Sequence, residues 1–163
     1  MLDCNLAKTS LDANQKLTKE MCPQNEKECA EMKDVPYQEA VLCLHQVSRP
    51  DISFAVSTVS RYKQNPRKAH WTAVKHIFRC LKGTAHMKLA GTVGEGNFSR
   101  FCDAVWASDS NERRSVTGYI YLLHNGAILW NSKKQPTVAI STTEAEYMAL
   151  TAATQETTWL ISL

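Results

Sequence analysis

The spacing of the apolar residues changes once along this chain, near His86, and that change restricts the folds open to it. Upstream, "RPDISFAVSTVSRYKQN" repeats Ile52, Ala55, Val56, Val59 and Tyr62 at helical spacing, between Pro50–Asp51 at its start and Asn65–Pro66 at its end. "KAHWTAVKHIFRCLKGT" does the same with Trp71, Val74, Phe78 and Leu81, and Gly83 is a natural stop. Downstream the period is that of strands. "HMKLAG" and "NFSRFCDAVWAS" flank the glycine-rich turn "GTVGEGN", and "SVTGYIYLL" and "AILWNSKKQ" are separated by "HNG", a strong hairpin signal. "TVAI" extends or follows the second run, and Ser141 opens a helix continuing through Trp159. The expected class is α/β: a helical segment, then at least two antiparallel strand pairs, then a helix.

Residues 1–35 are polar and weakly patterned, which predicts an extended or mobile lead-in with a short helical piece around Glu26–Met32. "VPYQEAVLCLHQ" predicts a short apolar helix with Pro36 in its first turn. The organisation expected is a lead-in over 1–35, a helical segment over 36–84 and a mixed segment over 85–163.

Charge is uneven. Residues 51–100 hold 9 Lys or Arg against 2 Asp or Glu, between two slightly acidic flanks. Lys68, Lys75, Arg79 and Lys82 fall on the side of their helix opposite the apolar stripe. Such a side is either a phosphate-facing surface or a solvated helix face. Trp71 and Phe78 belong to the apolar stripe and read as core rather than as stacking platforms for bases. Lys133 and Lys134, near the hairpin, are further phosphate candidates. No run approaches the 18 apolar residues of a membrane span, so no membrane partner is expected. The N-terminus lacks a signal pattern, and the 6 cysteines lack paired spacing, which together predict reduced thiols and an intracellular protein.

"STTEAEYMAL" places two glutamates two positions apart. Ser141 with Glu144 fits a capping box, in which each side chain satisfies a free backbone N–H of the first turn. Glu146 lies one turn inside, near the edge of an alanine-rich face, where the cap does not need it. Asp103 interrupts an otherwise apolar strand beside Phe101 and Trp106. Two such carboxylates are either half of a site for a hard divalent cation or solvent-exposed acids on an edge.

The run "FCDAVWASDSNERRSVTGYIYLLHNGAILWNSKKQPTVAISTTEAEYMAL" closely resembles the ribonuclease H region of copia-type retrotransposon polyproteins. Four family patterns occur in order: Asp–Ala–x–Trp–Ala, Arg–(Lys/Arg)–Ser–x–x–Gly–(Tyr/Phe), Trp–x–Ser–Lys–Lys–Gln, and Ser/Thr–Glu–Ala–Glu–Tyr. Upstream, "RPDISFAVSTVSRYKQNPRKAHWTAVKHIFRCLKGT" is similar to the segment joining reverse transcriptase to ribonuclease H, and "MLDCNLAKTSLDANQKL" to the piece just after the polymerase core. The resemblance implies a partial ribonuclease H-like fold after a connection segment. It also implies hydrolysis of RNA in an RNA–DNA hybrid with Mg2+ or Mn2+, and Asp103 and Glu146 as metal ligands and catalytic residues.

The sequence also departs from that pattern. The family's third carboxylate, on a further strand after this helix, and its fourth ligand are not matched before Leu163. Glu156 lies about 280° around the helix from Glu146 and points elsewhere, and Asp109 and Glu112 sit in a polar loop. The polymerase's Tyr–x–Asp–Asp motif is absent, which excludes nucleotide polymerisation by this chain alone. "LCLHQV" is shorter than the family's apolar stretch. The expectations are a chain catalytically incomplete alone, and an Asp103 strand left as an open edge through which copies self-associate. A rival expectation is a non-catalytic module binding nucleic acid or protein. His76, Cys80 and His70 lack four-ligand zinc spacing and read as packing residues.

Overall fold

The computed structural model describes residues 4–12, 17–92 and 97–162, which form two compact units, Met1–Met87 and Lys88–Leu163.

The first unit holds four helices: α1 (Glu26–Ala30), α2 (Tyr37–His45), α3 (Ser53–Ser60) and α4 (Lys68–Gly83), with single 3-10 turns at Lys19–Met21 and Pro50–Ile52. Pro36 stands at the N-cap of α2 rather than inside its first turn. Pro50 begins the 3-10 turn that runs into α3, a position where its missing N–H costs nothing. The core joins Tyr37, Val41 and Leu44 of α2 to Ala55, Val56 and Val59 of α3 and Ala73, Val74 and Ile77 of α4. Each large apolar side chain buried this way contributes about 1.5–3 kcal/mol. The buried stripe of α4 runs through His70, Ala73, Val74, Ile77 and Cys80; Trp71, Phe78 and Leu81 flank it, half-buried. The true stripe is thus rotated toward His70 and Ile77.

The lead-in is part of this core. Ala7, Leu17 and Met32 are buried, Tyr62 Oη donates to the Leu17 carbonyl at 2.8 Å, and Leu6 and Ala7 pack on Gly83. Tyr37 Oη donates to the Val59 carbonyl at 2.8 Å. Arg49 closes the unit, pairing with Asp51 at 2.6 Å and donating to Thr84 Oγ1 at 2.8 Å, so the start of α3 is fixed to the end of α4.

The second unit is a three-stranded antiparallel sheet, ordered β1 (Phe98–Val105), β2 (Val116–Leu123) and β3 (Gly126–Lys134), with α5 (Thr142–Ile161) packed on β1 and β2. The β2–β3 turn needs left-handed backbone at His124 (φ 51°) and Asn125 (φ 60°), which asparagine tolerates well. A Cβ at Gly126 would meet Gly91 Cα at 3.1 Å and the Ala90 carbonyl at 3.2 Å, so only glycine lets that segment pass. "HMKLAG" is therefore not a strand: Thr92 N donates to the His124 carbonyl at 2.6 Å, and residues 85–92 otherwise run exposed. "GTVGEGN" lies partly outside the described residues. "TVAI" forms bends, anchored where Trp106 Nε1 donates to the Ala139 carbonyl at 3.1 Å.

Candidate acidic site and basic helix face

Ser141 Oγ accepts from Glu144 N at 3.1 Å, and Glu144 Oε2 accepts from Ile140 N at 2.7 Å. The return bond thus reaches one residue before the N-cap rather than the N-cap itself, and it starts α5 firmly. Past this cap, Ala145, Ala149 and Ala153 are the buried residues of α5. Glu146, about 100° from Ala145 around the helix, is exposed on the flank of that face.

Asp103 is exposed in β1, where its Oδ1 accepts from Ala104 N at 2.8 Å. Directly opposed residues of an antiparallel pair share a face. Cys102 is opposite Tyr119 and packs with it and Tyr121 beneath α5. Asp103, opposite Gly118, therefore leaves β1 on the face that α5 does not cover, beside exposed Phe101 and Val105.

Hard divalent cations take six or more oxygen ligands, several of them carboxylate. Among the described residues no three His, Cys, Asp or Glu side chains come together. The donor set among the described residues does not fit a Mg2+ or Mn2+ pair.

Of the α4 cations, Lys68, Lys75 and Lys82 are exposed and, with Arg79, fall within an arc of about 60°. Arg79 is half-buried, and its Nε donates to the Asn5 carbonyl; His76 Nε2 lies 3.0 Å from the Thr9 carbonyl. One edge of the face is thus occupied by the lead-in, and Lys68 and Lys75 carry no ion pair among the described residues.

Lys133 and Lys134 belong to the second unit and differ from each other. Lys134 Nζ donates to Asp109 Oδ2 at 3.1 Å and Glu112 Oε2 at 2.8 Å. Asp109 is 3% exposed, so Lys134 is the counter-charge of a buried acid. Lys133 is exposed with no ion pair among the described residues.

Gln135 and Tyr119, which sequence alone did not single out, organise this unit. Gln135, 3% exposed, donates from Nε2 to Thr117 Oγ1 at 3.0 Å and to the Ala145 carbonyl at 2.9 Å. Tyr119 Oη accepts from Asn131 Nδ2 at 3.1 Å and donates to Glu156 Oε1 at 3.1 Å. Burial pushes the Tyr119 phenol up, the Asn131 bond opposing and Glu156 adding to the rise.

No family model and no solved structure matches the chain. Curated relatives do. It is 44% identical over 155 residues to the "Retrovirus-related Pol polyprotein from transposon TNT 1-94" of Nicotiana tabacum, covering 93% of this chain and 12% of that protein. A 38% identity over 120 residues links it to the Pol polyprotein from transposon RE2 of Arabidopsis thaliana, covering 71% of this chain and 8% of that protein. The chain belongs to the copia-type retrotransposon Pol family. It spans a small fraction of these polyproteins. It also matches the "Secreted RxLR effector protein 161" of Plasmopara viticola, 45% identical over 133 residues, covering 79% of this chain and 94% of that protein.

The copia-type motifs have local structural duties here. Trp106 of "DAVWA" holds the segment before α5. "RRSVTGY" begins at Arg113, whose φ of 56° turns the chain into β2. The glutamine of "WNSKKQ" is Gln135. Among the described residues no helix is long and apolar enough to cross a membrane.

Proposed function

We propose that this chain is the connection helices and the first part of a ribonuclease H-like domain of a copia-type Pol protein. It binds the backbone of an RNA–DNA hybrid inside the cell and does not cleave hybrid on its own. The single observation that carries this is the run from β1 to α5, in which four ordered motifs sit on consecutive elements while, among the described residues, no three acids converge. Lys68, Lys75 and Lys82, on one face of α4, supply the phosphate contacts. Asp103 and Glu146 are the family's metal positions, and further carboxylates are required for chemistry with Mg2+ or Mn2+. The free edge of β1, beside exposed Phe101 and Val105, is the surface through which copies self-associate. The test is hybrid binding across a salt series, which must weaken steeply if phosphate contacts dominate. Binding insensitive to salt contradicts the proposal.

A second reading is favoured by one observation. The Plasmopara viticola protein is matched over 94% of its length, and its name is that of a secreted effector. On that reading the same fold is a non-catalytic protein-interaction module. Unaltered partner capture after charge reversal of Lys68 and Lys75, with no hybrid binding, would favour it.

A further inference from the structure

Asn125 is the one asparagine in this sequence that is followed by glycine. The pair closes the turn between β2 and β3. Asn125 is exposed with φ at 60°, and Gly126 begins β3 opposite Leu123. The side-chain Cγ of an asparagine and the backbone nitrogen after it can close a succinimide ring. Their meeting needs only rotation within Asn125, so no distant contact has to assemble the reacting atoms. A Cβ on the following residue hinders that approach, and Gly126 has none.

The structure also shows what restrains the rotation. Thr92 N donates to the His124 carbonyl at 2.6 Å, and Thr92 Oγ1 donates to the same oxygen at 3.0 Å. That hydroxyl in turn accepts from Asn125 Nδ2 at 3.3 Å, so the carboxamide is tied to a residue far back in the chain. All of these groups lie at the surface, where water competes and each bond is worth little net. Surface turns held in this way open far more often than the core does.

We propose that Asn125 is a site of spontaneous covalent modification, deamidating through a succinimide with Gly126 at a rate held down by Thr92. The Gly126 nitrogen loses its proton to water or hydroxide and attacks Asn125 Cγ. The new C–N bond forms as the bond from Cγ to Nδ2 breaks, and that nitrogen leaves as ammonia. Water then opens the ring. Breaking the ring bond at Cγ leaves aspartate, and breaking it at the backbone carbonyl leaves isoaspartate, whose main chain runs on through Cγ. Nothing is oxidised or reduced. Isoaspartate lengthens the backbone of a tight turn by one carbon, so the modified hairpin loses the geometry that sets Leu123 opposite Gly126. The inference is independent of hybrid binding through α4.

The test incubates the folded full chain in water enriched in heavy oxygen, at neutral and at mildly alkaline pH. Peptide mass spectrometry that separates aspartate from isoaspartate then maps the product. Urea-unfolded chain, Thr92→Ala and Thr92→Ser are run beside it. The expected result is one labelled oxygen at Asn125 before any other asparagine, both products present, and faster conversion at the higher pH. Thr92→Ala, an exposed substitution, should convert at least about twofold faster than the unaltered chain. Thr92→Ser keeps the hydroxyl and should convert at the unaltered rate. No product at Asn125 of the folded chain once the unfolded chain has converted, earlier conversion of another asparagine, or an unchanged rate in Thr92→Ala would each overturn the proposal.

Discussion

Gln135 Nε2 donates to the Ala145 carbonyl at 2.9 Å, which fastens the end of β3 to the first turn of α5. The same amide nitrogen reaches Thr117 Oγ1 of β2 at 3.0 Å, and Gln135 N donates to the Ser115 carbonyl at 2.9 Å. One side chain therefore ties β2 and the end of β3 to the first turn of α5, whose start the Ser141–Glu144 cap sets. Replacing it with alanine removes both side-chain bonds from a buried site, at a cost of about 1–3 kcal/mol. Urea unfolding of Gln135→Ala should show this as a lower midpoint with an unchanged slope.

The two neighbouring lysines should behave oppositely. Lys134→Ala leaves Asp109, 3% exposed, without its ammonium partner, which predicts a loss of about 2–4 kcal/mol. Lys133→Ala should change stability by less than about 0.5 kcal/mol. Thermal or urea melts of the two variants side by side check the contrast.

Acid should loosen the first unit. His70 is fully buried, stacked on Tyr62 at 4.1 Å, with Nδ1 accepting from Arg67 N at 3.0 Å. Burial lowers its pKa, with the Thr18 backbone opposing and the Arg67 charge adding. His45 is lowered too, by burial and then Lys63. A folded pKa below the unfolded value of 6.5 means the unfolded chain binds protons more readily in that window. Stability is then level above about pH 6.5 and falls as pH drops below it. Urea midpoints at pH 7.5 and 5.5 should differ, and the difference should shrink in His70→Gln, which keeps an acceptor without titrating.

Hybrid binding should depend on α4 in a graded way. Each of Lys68→Ala and Lys75→Ala should reduce the slope of log affinity against log salt by about 1, with no change of sequence preference. Fluorescence anisotropy on hybrids of two different sequences measures both quantities.

Elements with strong local signals were legible in the sequence; contacts between distant residues were not. The β2–β3 hairpin was visible in "HNG", because the turn's left-handed backbone demands residues of that kind. The start of α5 was visible in Ser141 and Glu144, since a cap is a local bond. "HMKLAG" misled because its alternation was right for a strand, whereas Gly91 and Gly126 bring it against a turn instead of into the ladder. The lead-in read as extended or mobile because Ala7, Leu17 and Met32 are too far apart to show a period, yet each is buried. Glu156 was recognised as facing away from Glu146, but its partner Tyr119 lies 37 residues earlier, and no spacing rule reveals that bond. Asp103 and Glu146 could be named from the sequence one at a time. Their arrangement depends on strand register, which puts Cys102 rather than Asp103 beneath α5.

The most direct test of the central claim combines binding and cleavage. An end-labelled RNA–DNA hybrid is incubated with folded chain and Mg2+ or Mn2+, beside an Asp103→Asn control, and retention and cutting are read from the same samples. The account predicts hybrid retained at low salt, released at high salt and left intact by both proteins. Metal-dependent cutting that disappears in Asp103→Asn would contradict it, because the acids of this chain would then suffice for catalysis.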